Sequence, residues 1–325
     1  MSTTEQIREH RRAAANRTCA LELVSTRGVF CAGDLLTGIV VLRAARPIAN
    51  ALLRVSVRGT EQPAQGADRK GSPQAAVFFV REKLLSGVEP PRAALERLSV
   101  IWNAFLGRTK KRTIAAGEHI YPFAVSLPAS LPPSYSGSAG KIVYVVRAEL
   151  SGAFRRSLTV EQFVEVSSGV RIKGASSAAV REMAAVCQDG RPSPTARLEI
   201  ENAVAELGSE IRGRFVVANS GEQPGSKSVS ISLELSECVR GSQGALAVRR
   251  RVDQTVVQVP SSGSDSVEGD FRLRIPADAP PTVEAASISV SWEIRLHLDG
   301  EPPVEMSCPI KVVGGASCSE AQGVS

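Results

Sequence analysis

The sequence has few aromatic residues and no long apolar run. Phe, Trp and Tyr together make up 4% of its 325 residues. No stretch approaches the roughly 18 consecutive apolar residues that a transmembrane helix needs, so we expect no membrane span. The first 17 residues are polar and lack the apolar core of a secretory signal peptide. These absences favour a chain that works in the cytoplasm.

Sequence motifs for catalysis and for metal binding are also missing. The 6 cysteines are scattered without C-x-x-C spacing, and we expect them to be reduced thiols, several of them buried. The 3 histidines, His10, His119 and His297, lie far apart in the sequence, and no G-x-S-x-G elbow or phosphate-binding loop accompanies them. The sequence therefore predicts no catalytic residue, no metal ligand and no cofactor, and it favours a protein that is not an enzyme.

The positive charge of the chain is modest. A formal net charge of +6 permits attraction to anionic membranes or nucleic acid, but ordinary solubility is the interpretation that we favour. The run Arg249-Arg250-Arg251 keeps nucleic-acid binding open as a distant alternative. The low aromatic content and the lack of a known reading motif weigh against it. We expect no nucleic-acid partner.

The stretch from Tyr121 to Leu150 contains one strand, a proline-rich connection and a second strand. In the second strand, every other residue is apolar: Ile142, Tyr144, Val146, Ala148 and Leu150. This alternation is typical of a strand with one buried face. The prolines before it cannot lie inside a central strand and therefore belong to the connection.

The same stretch recurs 148 residues later in the chain. Phe123 corresponds to Phe271, and a second alternating strand follows without insertion or deletion. An earlier landmark, Gly33, corresponds to Gly208. Gly33 to Phe123 spans 90 residues and Gly208 to Phe271 spans 63, so the first copy is longer by 27 residues. We infer two similar all-β units in tandem, and the many Pro and Gly turns favour β-sandwiches.

We predict five segments from these patterns. They are a polar tail over 1–17, a first sandwich over 18–166, a linker over 167–194, a second sandwich over 195–313 and a tail over 314–325. The linker allows a helical turn over residues 180–186. One further segment, 90–106, breaks the β pattern: two prolines precede apolar residues at spacings of three and four, which predicts a short amphipathic helix. The apolar residues are Leu95, Leu98, Trp102, Phe105 and Leu106.

Residues 116–150, beginning AGEHIYPFAVSLP, resemble the signature segment of arrestin-domain proteins, especially the α-arrestins. The family pattern runs from Gly-x-His through Pro-Phe, Leu-Pro, Leu-Pro-x-Ser-aromatic and Gly to an alternating strand. The stretch GDLLTGIVV (residues 33–41) resembles their early strand, and residues 53–59 resemble the next one. The resemblance covers nearly the whole chain. It implies an all-β fold of two tandem arrestin-like, immunoglobulin-like β-sandwiches with one short amphipathic helix in the first.

This resemblance implies a non-catalytic adaptor or scaffold in intracellular trafficking, endocytosis or signalling. Its partners would be proteins, including the cytosolic tails of membrane cargo, and it would work in the cytoplasm or peripherally on the endosomal or plasma membrane. Two binding modes are open: an exposed sheet edge takes an added strand, or a sheet face holds a segment. A retromer-type coat subunit of the same fold is the alternative.

The predicted helix has two interpretations. Visual and β-arrestins carry a short helix at this place, and there it packs against the sheet, which is the interpretation that we favour. In the alternative, the helix contacts a membrane through an apolar pair and the basic residues that follow it. The residues concerned are Trp102, Phe105, Arg108, Lys110, Lys111 and Arg112.

The segment Pro132-Pro133-Ser134-Tyr135 spells Pro-Pro-x-Tyr, the sequence that WW domains bind. In α-arrestins such motifs lie in a long C-terminal tail and recruit ubiquitin ligases. Here the match falls inside the signature segment, where Tyr135 takes the aromatic position of the family. We therefore favour a structural role for these residues. The residues after Val313 are too few to carry such motifs, so we do not expect ligase recruitment there.

Overall fold

The computed structural model describes residues 11–16, 18–64, 75–86, 113–152, 157–168, 179–184, 195–218, 227–241, 244–259, 266–299 and 304–314. All regular secondary structure in these ranges is β-strand, which confirms the predicted all-β fold. None of these residues belongs to a helix long and apolar enough to cross a membrane. The helix predicted for residues 90–106 lies outside the described residues and stays a prediction.

The chain divides into two compact units. The first consists of Met1–Thr60, Ala76–Ser134 and Ile142–Val166. The second consists of Glu61–Ala75, Tyr135–Lys141 and Ser167–Ser325, so it includes two segments from the first half of the sequence.

Ten strands build the two sheets of the first half. They are β1 (Arg11–Ala15), β2 (Cys19–Ser25), β3 (Val29–Cys31), β4 (Leu35–Ala44), β5 (Leu52–Pro63), β6 (Ala76–Ser86), β7 (Gly117–Ser126), β8 (Tyr135–Gly137), β9 (Gly140–Ser151) and β10 (Leu158–Ser167). One sheet has the order β1-β2-β4-β7. The other has the order β3-β10-β9-β5-β6, with β8 paired to β9.

Ten further strands repeat this plan. They are β11 (Ala179–Ala184), β12 (Thr195–Ile200), β13 (Val204–Glu206), β14 (Glu210–Ala218), β15 (Lys227–Gly241), β16 (Gly244–Val259), β17 (Ser266–Arg274), β18 (Val283–Glu284), β19 (Ile288–Leu298) and β20 (Val304–Val313). Their sheets have the orders β11-β12-β14-β17 and β13-β20-β19-β15-β16, with β18 on β19. Each strand occupies the place of the strand ten earlier, which confirms the tandem arrangement.

Strict alternation of apolar residues buries one face of each central strand. In β9 every even-numbered residue from Ile142 to Leu150 is buried, and in β19 every even-numbered residue from Ile288 to Leu298 is buried. Because side chains on a strand alternate between faces, a period of two places one whole set in the core. Each fully buried Leu, Ile, Val or Phe contributes about 1.5–3 kcal/mol to the stability of its unit.

In each copy an aromatic side chain donates a hydrogen bond from the alternating strand, β9 or β19, to the proline-rich connection that precedes it. The Tyr144 hydroxyl donates a hydrogen bond to the carbonyl of Pro132 at 2.6 Å. At the corresponding place in the second unit, Trp292 Nε1–H donates to the carbonyl of Pro280 at 3.1 Å. Both rings are buried, so their polar atoms need a partner there. The first copy uses a hydroxyl group and the second an indole N–H, and in both the acceptor is a proline carbonyl at the matching position.

The surplus residues of the first copy lie mostly in one connection. Thirty residues, 87 to 116, separate β6 from β7, whereas six residues, 260 to 265, separate β16 from β17. The repeat therefore localises most of the 27-residue difference to the stretch that contains the predicted helix.

Two strands lie where the sequence predicted none. β1 falls in the predicted polar tail, and β11 falls in the predicted linker, where β11 replaces the helical turn considered for residues 180–186. Each is an edge strand that pairs antiparallel with the next strand. An edge strand is held largely by backbone hydrogen bonds, so its side-chain pattern need not show a buried face.

The cysteines are not all reduced thiols. Cys19, Cys238 and Cys308 are reduced thiols, as the sequence predicted, but Cys31 is disulfide-bonded. Proximity in the fold decides whether two cysteines can join, and spacing in the sequence does not show it. Burial raises the pKa of the Cys19 thiol above its ordinary value.

Candidate partner-binding edge and sheet face

Strand β6 forms one end of its sheet. Among the described strands its only partner in the sheet is β5, so the backbone groups on its other side pair with no described strand. The residues Ala76-Val77-Phe78-Phe79-Val80 occupy the start of this strand. Val77, Phe78 and Val80 are 51%, 36% and 43% exposed. We name Ala76–Val80 the apolar edge.

One residue of the apolar edge is anchored to the core. The Phe78 ring meets the buried Tyr144 ring edge-on, with 5.8 Å between the ring centroids. A Cβ added at Gly59 would lie 2.8 Å from Phe78 Cζ, so this glycine makes the space for the ring. Burial raises the pKa of the Tyr144 hydroxyl, which keeps the ring neutral. The edge strand is thus held at Phe78 and at the buried Phe79, while Val77 and Val80 stay exposed.

The matching edge strand in the second unit is charged. β16 ends its sheet as β6 does, and it carries three exposed arginines, Arg249, Arg250 and Arg251, next to the exposed Val248. Arg249 lies 3.6 Å from Glu293 and 3.9 Å from Glu234. Charged residues on an edge strand discourage pairing with another chain, whereas an exposed apolar edge invites it. The fold accepts either kind of edge.

The four-stranded sheet of the first unit has an apolar outer face. Along β4, Leu36, Val40 and Leu42 point into the core, and the residues between them point outward. We name the outward set of strands β2, β4 and β7 the apolar face: Val24, Leu35, Ile39, Val41, Ile120 and Pro122. Leu35, Ile39 and Ile120 are 57%, 36% and 58% exposed.

The strand register brings the members of the apolar face together. Ile39 lies opposite Val24 on β2 and opposite Pro122 on β7, and Val41 lies opposite Ile120. At one end of the face, Arg43 bridges Glu22 at 3.2 Å and Glu118 at 2.6 Å.

The same face of the second unit carries charges. Gly38 pairs with Phe123 and Gly213 pairs with Phe271, so Ile39 corresponds to Arg214. By the same register the remaining counterparts of the apolar face are Glu199, Glu210, Val216, Glu268 and Asp270. Arg214 bridges Glu268 at 2.7 Å. These two residues take the places of Ile39 and Ile120 of the first unit. The backbone therefore does not require an apolar outer face.

The residues predicted to contact a membrane lie outside the described part of the chain. These are Trp102, Phe105, Arg108, Lys110, Lys111 and Arg112. Their two interpretations, packing on the sheet and contact with a membrane, both stay predictions.

Two of the predicted WW-binding residues, Pro133 and Tyr135, are buried, and the third, Pro132, is half-buried. Tyr135 is 4% exposed, and Pro133 is buried as well. The Tyr135 hydroxyl donates to Glu237 at 2.5 Å and accepts from the Ala139 amide at 3.1 Å. Burial and the bond to Glu237 raise the pKa of the tyrosine. In this arrangement the ring is not accessible to a WW domain.

The two described histidines serve local contacts. His119 Nε2 lies 2.9 Å from the Ala115 carbonyl, and His297 Nε2 lies 3.0 Å from Asp299. A bond from Ser228 and the contact with His297 hold the pKa of Asp299 below its ordinary value. Within the described ranges, no group of three or more His, Cys, Asp or Glu side chains is placed to hold a metal ion.

Sequence reasoning singled out neither the apolar edge nor the apolar face. The runs themselves were visible, since Ala75 to Leu85 reads as a strand and residues 35–42 read as densely apolar. What was missing is the position of each strand in its sheet. A comparison of each strand with the equivalent strand of the other copy could have found them, because the two copies differ in charge at these places.

Comparison with known proteins gives a consistent family. The family model described as arrestin (or S-antigen), N-terminal domain, matches residues 19–173. Arrestin domain-containing protein 1 of Mus musculus is 32% identical over 130 residues, which is 40% of this chain and 25% of that protein. Arrestin domain-containing protein 17 of Caenorhabditis elegans is 23% identical over 220 residues, which is 63% of this chain and 50% of that protein.

A third relative, arrestin domain-containing protein 4 of Mus musculus, is 30% identical over 156 residues, 44% of this chain and 34% of that protein. The matches thus span between a quarter and a half of these relatives. Together with the signature segment and the repeated ten-strand plan, they show that residues 19–173 belong to the arrestin-domain family and that the chain is similar to arrestin domain-containing proteins.

Proposed function

We propose that the chain is a non-catalytic adaptor whose protein partner adds a β-strand to the apolar edge of β6. The carrying observation is the contrast between Val77, Phe78 and Val80 on β6 and three exposed arginines on β16. Strand addition obtains affinity from backbone hydrogen bonds and specificity from alternate side chains. An extended partner segment with apolar residues at alternate positions fits this edge.

The partner class follows from the family. Arrestin-domain relatives support an adaptor, and an extended cytosolic tail of a membrane protein has the conformational freedom to pair with a strand. We propose that the chain works in the cytoplasm and reaches the endosomal or plasma membrane through such cargo. A retromer-type coat subunit would instead hold one large scaffold in a fixed ratio.

The test places charge on the apolar edge. The full chain first captures proteins from native lysate, and these are identified. The affinity of a purified tail from a captured protein is then measured for the full chain and for its variant with both Val77→Lys and Val80→Lys. We expect the substitutions to weaken binding at least tenfold, about 1.4 kcal/mol, with the unfolding temperature unchanged. Val256→Lys is the matched control, because Val256 is 51% exposed on the edge strand of the second unit.

Two results would overturn this proposal. One is equal loss of binding in the Val256 control, which would indicate a general effect of surface charge. The other is binding that survives both edge substitutions. Capture of one scaffold protein in a fixed ratio, with no cargo tail, would replace the adaptor with the coat subunit.

We further propose that residues 87–112 cover the apolar face. Two observations support this proposal: the unit with the thirty-residue β6–β7 connection has the apolar face, and the unit with the six-residue connection has charges there. The face extends over residues 35–41 of β4, about 20 Å at the rise of a strand. A twelve-residue amphipathic helix is about 18 Å long, so Leu95, Trp102 and Phe105 would span it. Membrane contact through Trp102 predicts instead that the chain binds vesicles containing phosphatidylserine.

A further inference from the structure

Two buried glutamates occupy matched positions of the repeat. The inward residues of β5 are Leu53, Val55, Val57, Gly59 and Glu61, and those of β15 are Val229, Ile231, Leu233, Leu235 and Glu237. Each residue of the second series lies 176 positions after its counterpart. Glu61 is 1% exposed and Glu237 is 6% exposed. Both belong to the second unit, which contains Glu61–Ala75 and Tyr135–Lys141.

Glu237 holds the turn that precedes β9. Its Oε1 accepts from the Tyr135 hydroxyl at 2.5 Å and from the Ser138 amide at 3.1 Å. Its Oε2 accepts from the Ser138 hydroxyl at 2.8 Å. A Cβ added at Gly137 would lie 2.2 Å from Glu237 Oε1, so the carboxylate sits directly against the backbone of the turn.

Glu61 holds the corresponding turn before β19. Its Oε1 accepts from the amides of Ser287 and Ile288 at 2.7 and 2.6 Å. Ile288 begins β19 as Gly140 begins β9, and the two lie 148 positions apart. The other oxygen of Glu61 is buried and has no hydrogen-bond partner among the described atoms. The same position of the repeat thus performs the same task twice.

Every hydrogen-bond donor that contacts these carboxylates is neutral. Hydroxyl and amide groups supply the contacts described above, and the salt bridges of the described residues include neither glutamate. Burying a carboxylate without a cation costs several kcal/mol, and an unsatisfied oxygen adds to that cost. The other inward positions of β5 and β15 carry apolar residues or glycine, so an apolar side chain would stabilise the fold at these two positions as well. A contribution to overall stability does not explain two such residues.

We propose that Glu61 and Glu237 are conformational latches, which fix the turns before β19 and β9 in one position at a cost in stability. Three directed donors define where the turn before β9 lies and two define where the turn before β19 lies, whereas an apolar side chain would accept many positions. Buried polar groups of this kind can specify one arrangement over its competitors. The latch at Glu237 thereby also fixes the buried Tyr135.

The test measures separately the stability of the chain and how firmly the turn is held in place. In the full chain, Tyr135→Phe combined with Glu237→Leu replaces hydroxyl and carboxylate with apolar groups of similar size. Removing both partners of a buried hydrogen bond is nearly neutral for stability, whereas removing one is costly. We expect the unfolding temperature to fall by about 2–4 °C at most, because the Ala139 amide loses the Tyr135 hydroxyl as its acceptor, while amide hydrogen exchange at residues 135–141 increases at least tenfold. Glu237→Gln alone should increase exchange there and lower the unfolding temperature.

Glu234→Gln is the matched control, because Glu234 is buried on the same strand but lies beside Arg249 and Arg295 on the outer face. It should leave exchange at residues 135–141 unchanged. Glu61→Gln should increase exchange at Ser287 and Ile288 and not at Ser138. A double variant that unfolds at a lower temperature with unchanged exchange in the turn would overturn the proposal. Equal effects of Glu234→Gln and Glu237→Gln on the turn would do the same.

Discussion

One glycine in the fourth strand of each copy leaves room for a phenylalanine on the neighbouring strand. A Cβ at Gly38 would lie 2.6 Å from Phe123 Cζ, and a Cβ at Gly213 would lie 2.5 Å from Phe271 Cζ. These distances are far below van der Waals contact, and both rings are buried in cores that cannot expand without cost. The glycine and the phenylalanine therefore form one packing unit that occurs twice.

Gly38→Ala and Gly213→Ala are each expected to lower the free energy of unfolding by about 1–3 kcal/mol, because overpacking shifts the ring or the strand. Thermal or urea unfolding measures the change. Gly314→Ala is the control, since a Cβ there meets only Ser167 Cβ at 3.9 Å, an ordinary contact. Gly38→Ala with wild-type stability would contradict the packing described for Phe123.

Several residue-level features followed from the sequence because they depend on local chemistry. The alternation that buries Tyr144 and the correspondence of Phe123 with Phe271 needed only period and spacing. The roles of Glu61 and Glu237 did not, because a glutamate at the end of an apolar alternation looks like the exposed end of a strand. Only the position of the turns that donate to these carboxylates shows why they are buried.

At the scale of elements, the strands with a buried face were predictable, whereas two edge strands, β1 and β11, were not. β9 and β19 bury one face completely, so their sequences alternate strictly. β1 and β11 follow from pairing with β2 and β12, and pairing partners do not appear in the strand's own sequence. The connection between β6 and β7 shows the same limit, because its surplus length was visible and the surface it serves was not.

Exchanging this connection tests whether residues 87–112 cover the apolar face. We expect that replacing them with PSSGSD, the sequence of residues 260–265, will lower the unfolding temperature and increase the binding of an apolar dye. Each Ile or Leu newly exposed forfeits about 1.5–3 kcal/mol. Adding Ile39→Arg and Ile120→Glu, which installs the Arg214–Glu268 pair of the second unit, should reverse the dye binding.

The membrane alternative predicts different results for the same variants. If Trp102 and Phe105 insert into a bilayer, the replacement abolishes binding to phosphatidylserine vesicles and leaves stability and dye binding unchanged. Arg108, Lys110, Lys111 and Arg112 would then supply a binding term that falls as salt rises. Loss of stability without any vesicle binding by the parent chain supports coverage of the sheet.

At the scale of the whole molecule, the second unit depends on residues that precede it in the sequence. Glu61–Ala75 and Tyr135–Lys141 belong to it, although the alternating strands alone suggested a second sandwich that begins near residue 195. A sequence pattern shows where strands lie along the chain, and it does not show which segments join which compact unit. The predicted segment boundaries therefore stay predictions.

A fragment of residues 167–325 makes this dependence measurable. In the full chain, Glu237→Gln should lower the free energy of unfolding by about 1–3 kcal/mol, because bonds to a charged acceptor are lost. In the fragment, which lacks Tyr135 and Ser138, the same substitution should have an effect near zero. Equal effects of Glu237→Gln in both contexts would show that the second unit does not need the earlier segments.

The paired copies also record how an internally duplicated protein diverges. Glycine opposite phenylalanine, and an aromatic donor opposite a proline carbonyl, persist in both halves, while edge and outer face have become apolar in one half and ionic in the other. The two halves thus differ in mutational tolerance at matched sites: a charged substitution at Ile39 should be deleterious, whereas exchanging one charge for another at Arg214 should be mild. Clinical or evolutionary variants in such tandem proteins are best interpreted half by half, with each half serving as the other's reference.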